Sequence, residues 1–278
     1  MSISLSLAYS TCPNDTFSFF ALAKRRIICP DTSFQISLAD VQTLNQAAQH
    51  RTYDVTKLSF AAMGRLRSSY QLLKSGAALG RGCGPLIVAR PGADIAKLSA
   101  GMIAVPGMDT TALMLTGLYL GKPPRVAPMT FDRIMPEVAE GRFDFGVIIH
   151  EGRFTYPDYG LIEVLDLGAW WEGRTGLPVP LGCIAAARDL PADVIRRVES
   201  AVRDSVAYAF GHPEETAAYV REYAQEMADS VVQQHIGLYV NAFSLELGDE
   251  GVTAIETLFS MAEASGVIPA DPHPLFQA

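Results

Sequence analysis

Short apolar runs alternate with polar turns over the first two thirds of the chain, and the last third has a helical pattern. Runs typical of strands lie at residues 3–9, 33–39, 54–60, 86–89, 102–106 and 145–149. Polar turns near residues 12, 57 and 107 each lead from one of these runs into a helical pattern. This alternation of strands and helices predicts an α/β fold.

The later part of the chain is predicted to be helical from residue 191 onward. Four valines recur at four-residue steps and so share one helix face: Val194, Val198, Val202 and Val206. Further helices are predicted at 40–48, 131–140, 229–243 and 250–265. Residues 160–172 are predicted to form a strand followed by a loop, and 175–182 lead into a strand that begins at Cys183.

The segment 145–156 carries the first candidate for chemistry, because an apolar run ends there in His150. In open α/β sheets, ligands bind beyond the carboxyl ends of strands. A histidine at such a position can accept or donate a proton near neutral pH. The polar residues that could orient it or a substrate follow directly: Glu151, Arg153, Thr155 and Tyr156. The alternative is that His150 caps the strand and satisfies a loop carbonyl.

The first two strand-to-helix turns with polar residues are candidates for binding a ligand. Asn14 or Asp15 caps the first helix, the commoner use of these residues, or faces a site from the same position. Lys57 and Ser59 follow the third strand. A lysine there can hold a carboxylate or phosphate, and in the alternative interpretation it is solvated at the surface.

A third turn brings Thr110 and Thr111 to the start of a helix that follows Gly107. Threonines there commonly cap the helix, and we expect this role for one of the two. The unpaired N–H groups and the positive dipole end of a helix start also make a natural carboxylate site. The sequence therefore offers a second candidate anion site.

Three other segments are notable but do not indicate a cofactor. The glycine-rich stretch 75–85 matches neither nucleotide-binding glycine motif, so we infer no nucleotide site from it. Arg90-Pro91-Gly92 is a plausible crossing between lobes. The adjacent Trp170 and Trp171 either pack between lobes or stack on an aromatic substrate, and the sequence leaves both open.

Size and charge narrow the function classes. The chain of 278 residues exceeds the usual size of a single core, which favours two lobes. Its net charge of −8, without a basic run, argues against nucleic-acid binding, so an anionic ligand must be held locally. The amino terminus resembles no signal peptide and no apolar run is long enough to span a membrane, so we expect a cytoplasmic protein. The four cysteines are predicted to be free thiols, and metal binding is the less favoured interpretation.

Several segments in one order resemble the 1,4-dihydroxy-6-naphthoate synthase family of menaquinone biosynthesis by the futalosine route. They are 12–17 (CPNDTF), 40–45 (DVQTLN), 56–60 (TKLSF), 75–85 (SGAALGRGCGP), 148–156 (IIHEGRFTY) and 166–172 (DLGAWWE). The likeness runs from about residue 5 to Phe276. Thr11 stands where the family pattern has a proline, outside the positions that carry chemistry.

The resemblance implies a two-lobed fold like the type II periplasmic binding proteins, α/β with mixed sheets and the ligand in the interlobe cleft. We expect lobe 1 to comprise residues 1–90 and 185–278, and lobe 2 residues 91–184. The convergence of the turns near residues 12, 57 and 107 agrees with a site in such a cleft.

The resemblance also implies a reaction: cyclic dehypoxanthine futalosine is cleaved to 1,4-dihydroxy-6-naphthoate with loss of the sugar-derived fragment. No cofactor or metal is expected. By resemblance His150 is the proton acceptor, and two segments bind the substrate: Lys57, Leu58 and Ser59, and Thr110 with Thr111. The residues themselves add Asn14, Asp15 and Arg153.

Two other functions stay open on the sequence. A solute-binding protein of the same fold would bind a small carboxylate without chemistry. The related chorismate dehydratase would share the lobes and a carboxylate ligand. The expected partner is a small aromatic carboxylate, with neither nucleic acid nor membrane involved, and the sequence leaves monomer or homodimer open.

Overall fold

Two β-sheets, each flanked by helices, form the protein in a computed structural model that describes residues 3–224 and 228–276. The strands are β1 Ile3–Tyr9, β2 Thr32–Leu38, β3 Val55–Ser59, β4 Tyr70–Leu72, β5 Ala78–Gly80, β6 Leu86–Ala89, β7 Met102–Val105, β8 Arg125–Pro128, β9 Phe145–Ile148, β10 Ile162–Asp166 and β11 Val179–Ala187.

The α-helices are α1 Pro13–Ala23, α2 Val41–Gln49, α3 Phe60–Arg65, α4 Thr111–Leu120, α5 Phe131–Ala139, α6 Gly152–Thr155, α7 Leu167–Thr175, α8 Ala192–Gly211, α9 Pro213–Tyr223, α10 Asp229–Tyr239, α11 Ala242–Leu245 and α12 Gly248–Ala264. Short 3₁₀ turns occupy Ile95–Lys97 and Tyr156–Tyr159. None of the described helices is long and apolar enough to cross a membrane.

The six-stranded first sheet has the order β2-β1-β3-β11-β4, with β5 pairing β11. Strand β1 runs parallel to β2 and β3, whereas β11 runs antiparallel to β3. All five residues of β3 are buried, including Lys57. A strand buried on both faces therefore delivers a lysine to the carboxyl edge of this sheet.

The five-stranded second sheet has the order β10-β6-β9-β7-β8. Strand β9 lies in its centre, antiparallel to β6 and parallel to β7. Its four residues are buried, as the apolar run predicts. The chain therefore leaves the carboxyl end of β9 towards the other lobe, shortly before His150.

The strands change sheet earlier along the chain than the predicted lobe boundaries at 90/91 and 184/185. Strand β6 already belongs to the second sheet, and β11 belongs to the first sheet along its whole length. The crossings are thus the segments 81–85 and 167–178. Arg90 is not at a crossing, because its guanidinium donates to Val138 O inside the second lobe.

Gly84 and Gly168 bring the two crossings together. A Cβ on Gly168 would lie 1.8 Å from the Cys83 carbonyl oxygen, and one on Gly84 would lie 2.8 Å from the Cα of Gly168. Gly84 also has φ +133°, a conformation that side chains disfavour. Only hydrogen at these positions allows the backbones to approach so closely.

Three of the elements that differ from the sequence-based expectation are α7, β11 and α1. The predicted loop after β10 is helix α7, which Asp166 caps by accepting hydrogen bonds from Gly168 N and Ala169 N. Strand β11 begins at Val179 rather than Cys183. Helix α1 begins at Pro13, where a missing N–H costs nothing. Each of these three differences lies beside a glycine or proline, a residue type from which a local pattern predicts a loop.

The valine stripe behaves as predicted. Val194, Val198, Val202 and Val206 are all buried on α8, which packs against α1. Ser205 on the same helix donates to Ser18 O at 2.7 Å and accepts from Leu22 N at 3.3 Å. Helix α8 thereby fixes α1, whose amino terminus faces the cleft.

Replacing Gly168 by alanine should destabilise the protein, because the new methyl group meets backbone rather than a movable side chain. We expect a loss of at least about 2 kcal/mol in the free energy of unfolding. Gly173, exposed on the same helix with open space around it, is the matched control. Gly173→Ala should stabilise by about 0.5–1 kcal/mol. Chemical denaturation measures both, and equal effects would contradict the close approach of the crossings.

Candidate active site

A narrow cavity lies between the lobes, with about 80 Å³ available to the centres of water molecules. Ligand sites typically have about 300–1,000 Å³, so a two-ring ligand requires the lobes to part. The polar side chains that line the cavity are Ser10, Asn14, Asp15, Lys57, Ser59, Thr110, Thr111, His150 and Tyr239. Turns predicted from distant parts of the sequence therefore meet in one place.

His150 stands directly after β9 with φ +56°, in the left-handed region that non-glycine residues rarely adopt. Such strain is found where the surroundings fix a functional residue. The half-buried ring lies edge-on to Phe131, with centroids 5.4 Å apart, and its nitrogens are 3.6 and 3.7 Å from the Cys12 sulfur. The histidine thus faces the cavity from the second lobe.

Asp15 and Lys57 form a buried ion pair on the first lobe, with Nζ 2.5 Å from Oδ1 and side chains only 3% and 6% exposed. Asp15 also accepts from Asn14 Nδ2, Ser10 Oγ and Ser10 N. Its oxygens are therefore occupied. Lys57 donates one N–H to Asp15, and its other two N–H groups have no acceptor among the described residues.

Ser59, at the same edge of the first sheet, has a hydroxyl proton that is free to donate within the described part of the chain. Its hydroxyl accepts from Asn45 Nδ2 at 3.0 Å, and its own proton has no acceptor in the described part of the chain. Asn45 Oδ1 accepts from the Ser59 N–H at 2.9 Å, which fixes the residue. A lysine and a hydroxyl with free protons thus lie side by side at the end of β3.

Thr110 and Thr111 divide the two roles proposed for helix-start threonines. Thr110 is the N-cap of α4: its hydroxyl accepts from Leu113 N and donates to Gly107 O. Thr111 ties the lobes together, since its hydroxyl accepts from Phe60 N and donates to Leu181 O. The N–H groups of Thr111 and Ala112 have no acceptor within residues 3–224 and 228–276. They can therefore receive an anion.

His235 is a residue that sequence reasoning missed. It lies within α10, fully buried, with its ring 6.1 Å from that of His150 and nearly parallel to it. Its Nε2 is 2.9 Å from Asn14 Oδ1, and Nδ1 has no hydrogen-bond partner among the described residues. Val232, Ile236 and Tyr239 share its buried face, and that helical spacing was the available signal.

The two histidines hold their protons differently. Burial lowers the pKa of His150, but the Cys12 sulfur and the carboxylates Glu151 and Asp15 raise it, to about 9 in balance. Burial, together with the charges of His150 and Lys57, holds the pKa of His235 well below its ordinary value. In the empty cavity at neutral pH, His150 is therefore an imidazolium and His235 a neutral ring. Opposed protonation of neighbouring groups is typical of acid–base sites.

A family model described as menaquinone biosynthesis matches residues 5–264. A curated protein named 1,4-dihydroxy-6-naphthoate synthase, from Thermus thermophilus, is 51% identical over 273 residues, 98% of each chain. The chain belongs to the 1,4-dihydroxy-6-naphthoate synthase family. A protein of the same name from Streptomyces coelicolor is 45% identical, covering 96% of this chain and 95% of its own.

Solved structures place this enzyme of menaquinone biosynthesis in its fold. A crystal structure of an Archaeoglobus fulgidus protein matches with a TM-score of 0.90 and 34% identity, covering 95% of this chain and 98% of its own. An alkanesulfonate-binding protein from Xanthomonas axonopodis matches with a TM-score of 0.74 at 12% identity, covering 97% and 96%. The predicted periplasmic-binding-protein-like fold is confirmed, as is the predicted enzyme class.

Two of the residues expected to bind substrate do not line the cavity: Leu58, which the resemblance implied, and Arg153, which the sequence itself suggested. Leu58 packs in the core, fully buried, because alternate residues of β3 point away from the cleft. Arg153 pairs with Asp166 at 2.5 Å and donates to Gly84 O at 3.2 Å. Its guanidinium therefore braces a crossing.

The tryptophan pair packs rather than faces the ligand. Trp171 is fully buried and donates from Nε1 to Pro178 O at 3.0 Å. Trp170 lies edge-on to Tyr119, with centroids 5.7 Å apart. Neither ring is among the residues that line the cavity. Of the two interpretations left open by the sequence, the structure favours packing.

Asp15→Ala should strongly destabilise this family member, because it leaves the Lys57 ammonium buried without its partner. Breaking a buried pair costs about 3–5 kcal/mol. A second replacement, Lys57→Met, should recover much of the loss by removing the orphaned charge. Asp189→Ala, which breaks an exposed pair with Arg51, is the control and should barely change thermal melting. Equal effects at Asp15 and Asp189 would show that Lys57 finds other solvation.

Proposed function

We propose that this enzyme converts cyclic dehypoxanthine futalosine to 1,4-dihydroxy-6-naphthoate in the cytoplasm, with His150 as proton acceptor. The observation that carries the proposal is the placement of a strained histidine opposite a buried lysine with free N–H bonds, across a cavity closed by two lobes. A base on one side and an anion site on the other suit a substrate that carries a carboxylate.

Three groups support binding of that carboxylate in a protein with a net charge of −8. Lys57 offers two N–H bonds and Ser59 a hydroxyl proton from the first lobe. From the second lobe, the N–H groups of Thr111 and Ala112 add the positive end of α4, a helix of ten residues. Charge-assisted hydrogen bonds of this kind hold an anion without a net positive protein.

The chemistry requires one base to start it. A neutral His150 takes a proton from the carbon skeleton of the substrate, and the electron pair of that C–H bond moves into the ring. The bond to the sugar-derived fragment breaks, and that fragment leaves with the electrons while the ring becomes aromatic. Positioned general bases contribute about 10²–10⁴ in rate. The aromatic product supplies the driving force.

His150→Asn should reduce kcat by at least about 10²-fold, because asparagine keeps polarity but accepts no proton at neutral pH. KM should stay within about tenfold, since carboxylate contacts on the first lobe are untouched. The measurement is formation of the naphthoate from the cyclic substrate, followed by fluorescence and mass. His212→Asn, at an exposed helix N-cap, is the control and should keep full activity.

Three results would contradict this assignment. Substantial turnover by His150→Asn would remove the histidine from the proton transfer. Binding of the cyclic compound to the unaltered protein, with no product formed, would favour the solute-binding alternative. Release of dehydrated chorismate from chorismate would favour chorismate dehydratase instead.

The pH dependence of kcat/KM follows from the raised pKa of His150. The base acts in its deprotonated form, so kcat/KM should climb with pH and level off above about 9, governed by one proton. Steady-state kinetics at pH values on both sides of 9 measure this rise in kcat/KM. A rise centred near the ordinary histidine pKa of about 6.5 would show that the surrounding groups do not raise the pKa of His150.

A further inference from the structure

Cys12 and His150 meet across the cleft from opposite lobes. Cys12 is the N-cap of α1 on the first lobe, held in extended backbone before Pro13, and its N–H donates to Ser10 Oγ at 3.3 Å. Ser10 is itself anchored on Asp15. The sulfur is therefore placed by the same network that holds the buried ion pair, whereas His150 is placed by β9.

The sulfur lies over the face of the imidazole. It is 3.6 Å from Nδ1 and 3.7 Å from Nε2. An atom along the lone pair of one ring nitrogen would be roughly 2 Å farther from the other, since in-plane hydrogen bonds point away from the ring. The near-equal distances thus show that the sulfur is directed at neither nitrogen in preference to the other. Both nitrogens stay available in the plane of the ring.

Packing rather than hydrogen bonding orients this ring. Among the described residues, Cys12 is the only side chain within polar contact of either nitrogen. Phe131 meets the ring edge-on from α5, and His235 from α10 lies nearly parallel to it. Catalytic histidines generally rely on an orienting hydrogen bond, so contacts on the ring faces must serve here.

We propose that Cys12 is a positioning residue for His150, which fixes the imidazole across the cleft when the lobes close. The catalytic meaning of this contact rests on the proposed function, but the contact does not. Because the sulfur is on the other lobe, lobe opening separates it from the ring. Closure and the proton affinity of His150 are therefore coupled.

The charges that surround His150 agree with that coupling. Asp15 and Lys57, on α1 and β3, belong to the first lobe and balance one another. His235, on α10, is held neutral, and Glu151 is the one carboxylate that stays beside His150 on its own segment. Burial lowers the pKa of His150, and the Cys12 contact is the first of the influences that raise it. Removing the sulfur leaves burial in place, so it favours the neutral ring.

The test is a proton NMR titration of the histidine rings in the ligand-free protein, with the His150 signal assigned by its loss in His150→Asn. In the unaltered protein His150 should titrate near pH 9. In Cys12→Ala it should titrate lower by about one pH unit or more. Cys12→Ser, with a smaller and less polarisable atom, should fall between. Cys29→Ala, at a half-buried cysteine before β2, should leave the titration unchanged.

Kinetics separate positioning from protonation. At pH values above the pKa of His150 in both the unaltered protein and Cys12→Ala, the ring is neutral in each. At such a pH, the kcat of Cys12→Ala should be about tenfold lower than that of the unaltered protein, and its KM should stay within about threefold. A cysteine with a merely structural role would lower stability without moving the titration. An unchanged titration of His150 in Cys12→Ala, or in Cys12→Ser where the alanine variant does not fold, overturns the proposal.

The titration also keeps this proposal separate from the assigned reaction. It requires no substrate, so failure to form the naphthoate would sink the proposed function and leave the Cys12 contact intact. A shifted titration with an unchanged high-pH kcat would overturn positioning, because the sulfur would then act on charge alone.

Discussion

The buried ion pair between Lys57 and Asp15 is the constraint that organises the cleft. Burial of a lone ammonium costs several kcal/mol. Asp15 offsets that cost and is in turn held by Asn14 and Ser10. Through Asn14 the network reaches His235, and through Ser10 it reaches Cys12. The network thereby fixes Lys57 and leaves two of its N–H groups without an acceptor among the described residues.

The same network explains why the two lobes depend on one another. His150 comes from the second lobe, but its electrostatic surroundings come mostly from the first. Thr111 completes the closed arrangement by joining α4 to Phe60 and Leu181 of the first lobe. The cavity is too small for a two-ring ligand as it stands. On the proposed function, opening of the lobes admits the substrate, and closing brings the groups of the first lobe back to His150.

Close backbone contact at the crossings limits how the lobes move. Gly84 and Gly168 lie against each other, and Arg153 braces that point by joining Gly84 to Asp166. The fold is shared with an alkanesulfonate-binding protein. In this chain a histidine with positive φ lies at the cleft, just beyond the central strand of the second sheet. On the proposed function, catalysis is added to a binding architecture by residues near strand ends.

Most strands and helices, and the family, follow from the amino-acid sequence alone. So does the meeting of His150, Lys57, Ser59, Thr110 and Thr111, because strand-to-helix turns at the carboxyl edges of sheets converge. Leu58 and Arg153 were expected at the site and lie elsewhere, since strand alternation and an ion pair decide where those side chains point. Local pattern carries no information on such contacts.

The positions of His235 and Cys12 beside His150 follow from the tertiary structure. Each is far from His150 along the chain, and each reaches it through helix packing that the sequence pattern does not specify. The pKa of His150 likewise depends on groups from several elements, whose distances only the folded chain fixes. Sequence specifies which groups can do chemistry, because side-chain type is local. Their proton affinities and partners are collective, because electrostatic interactions depend on separation in space.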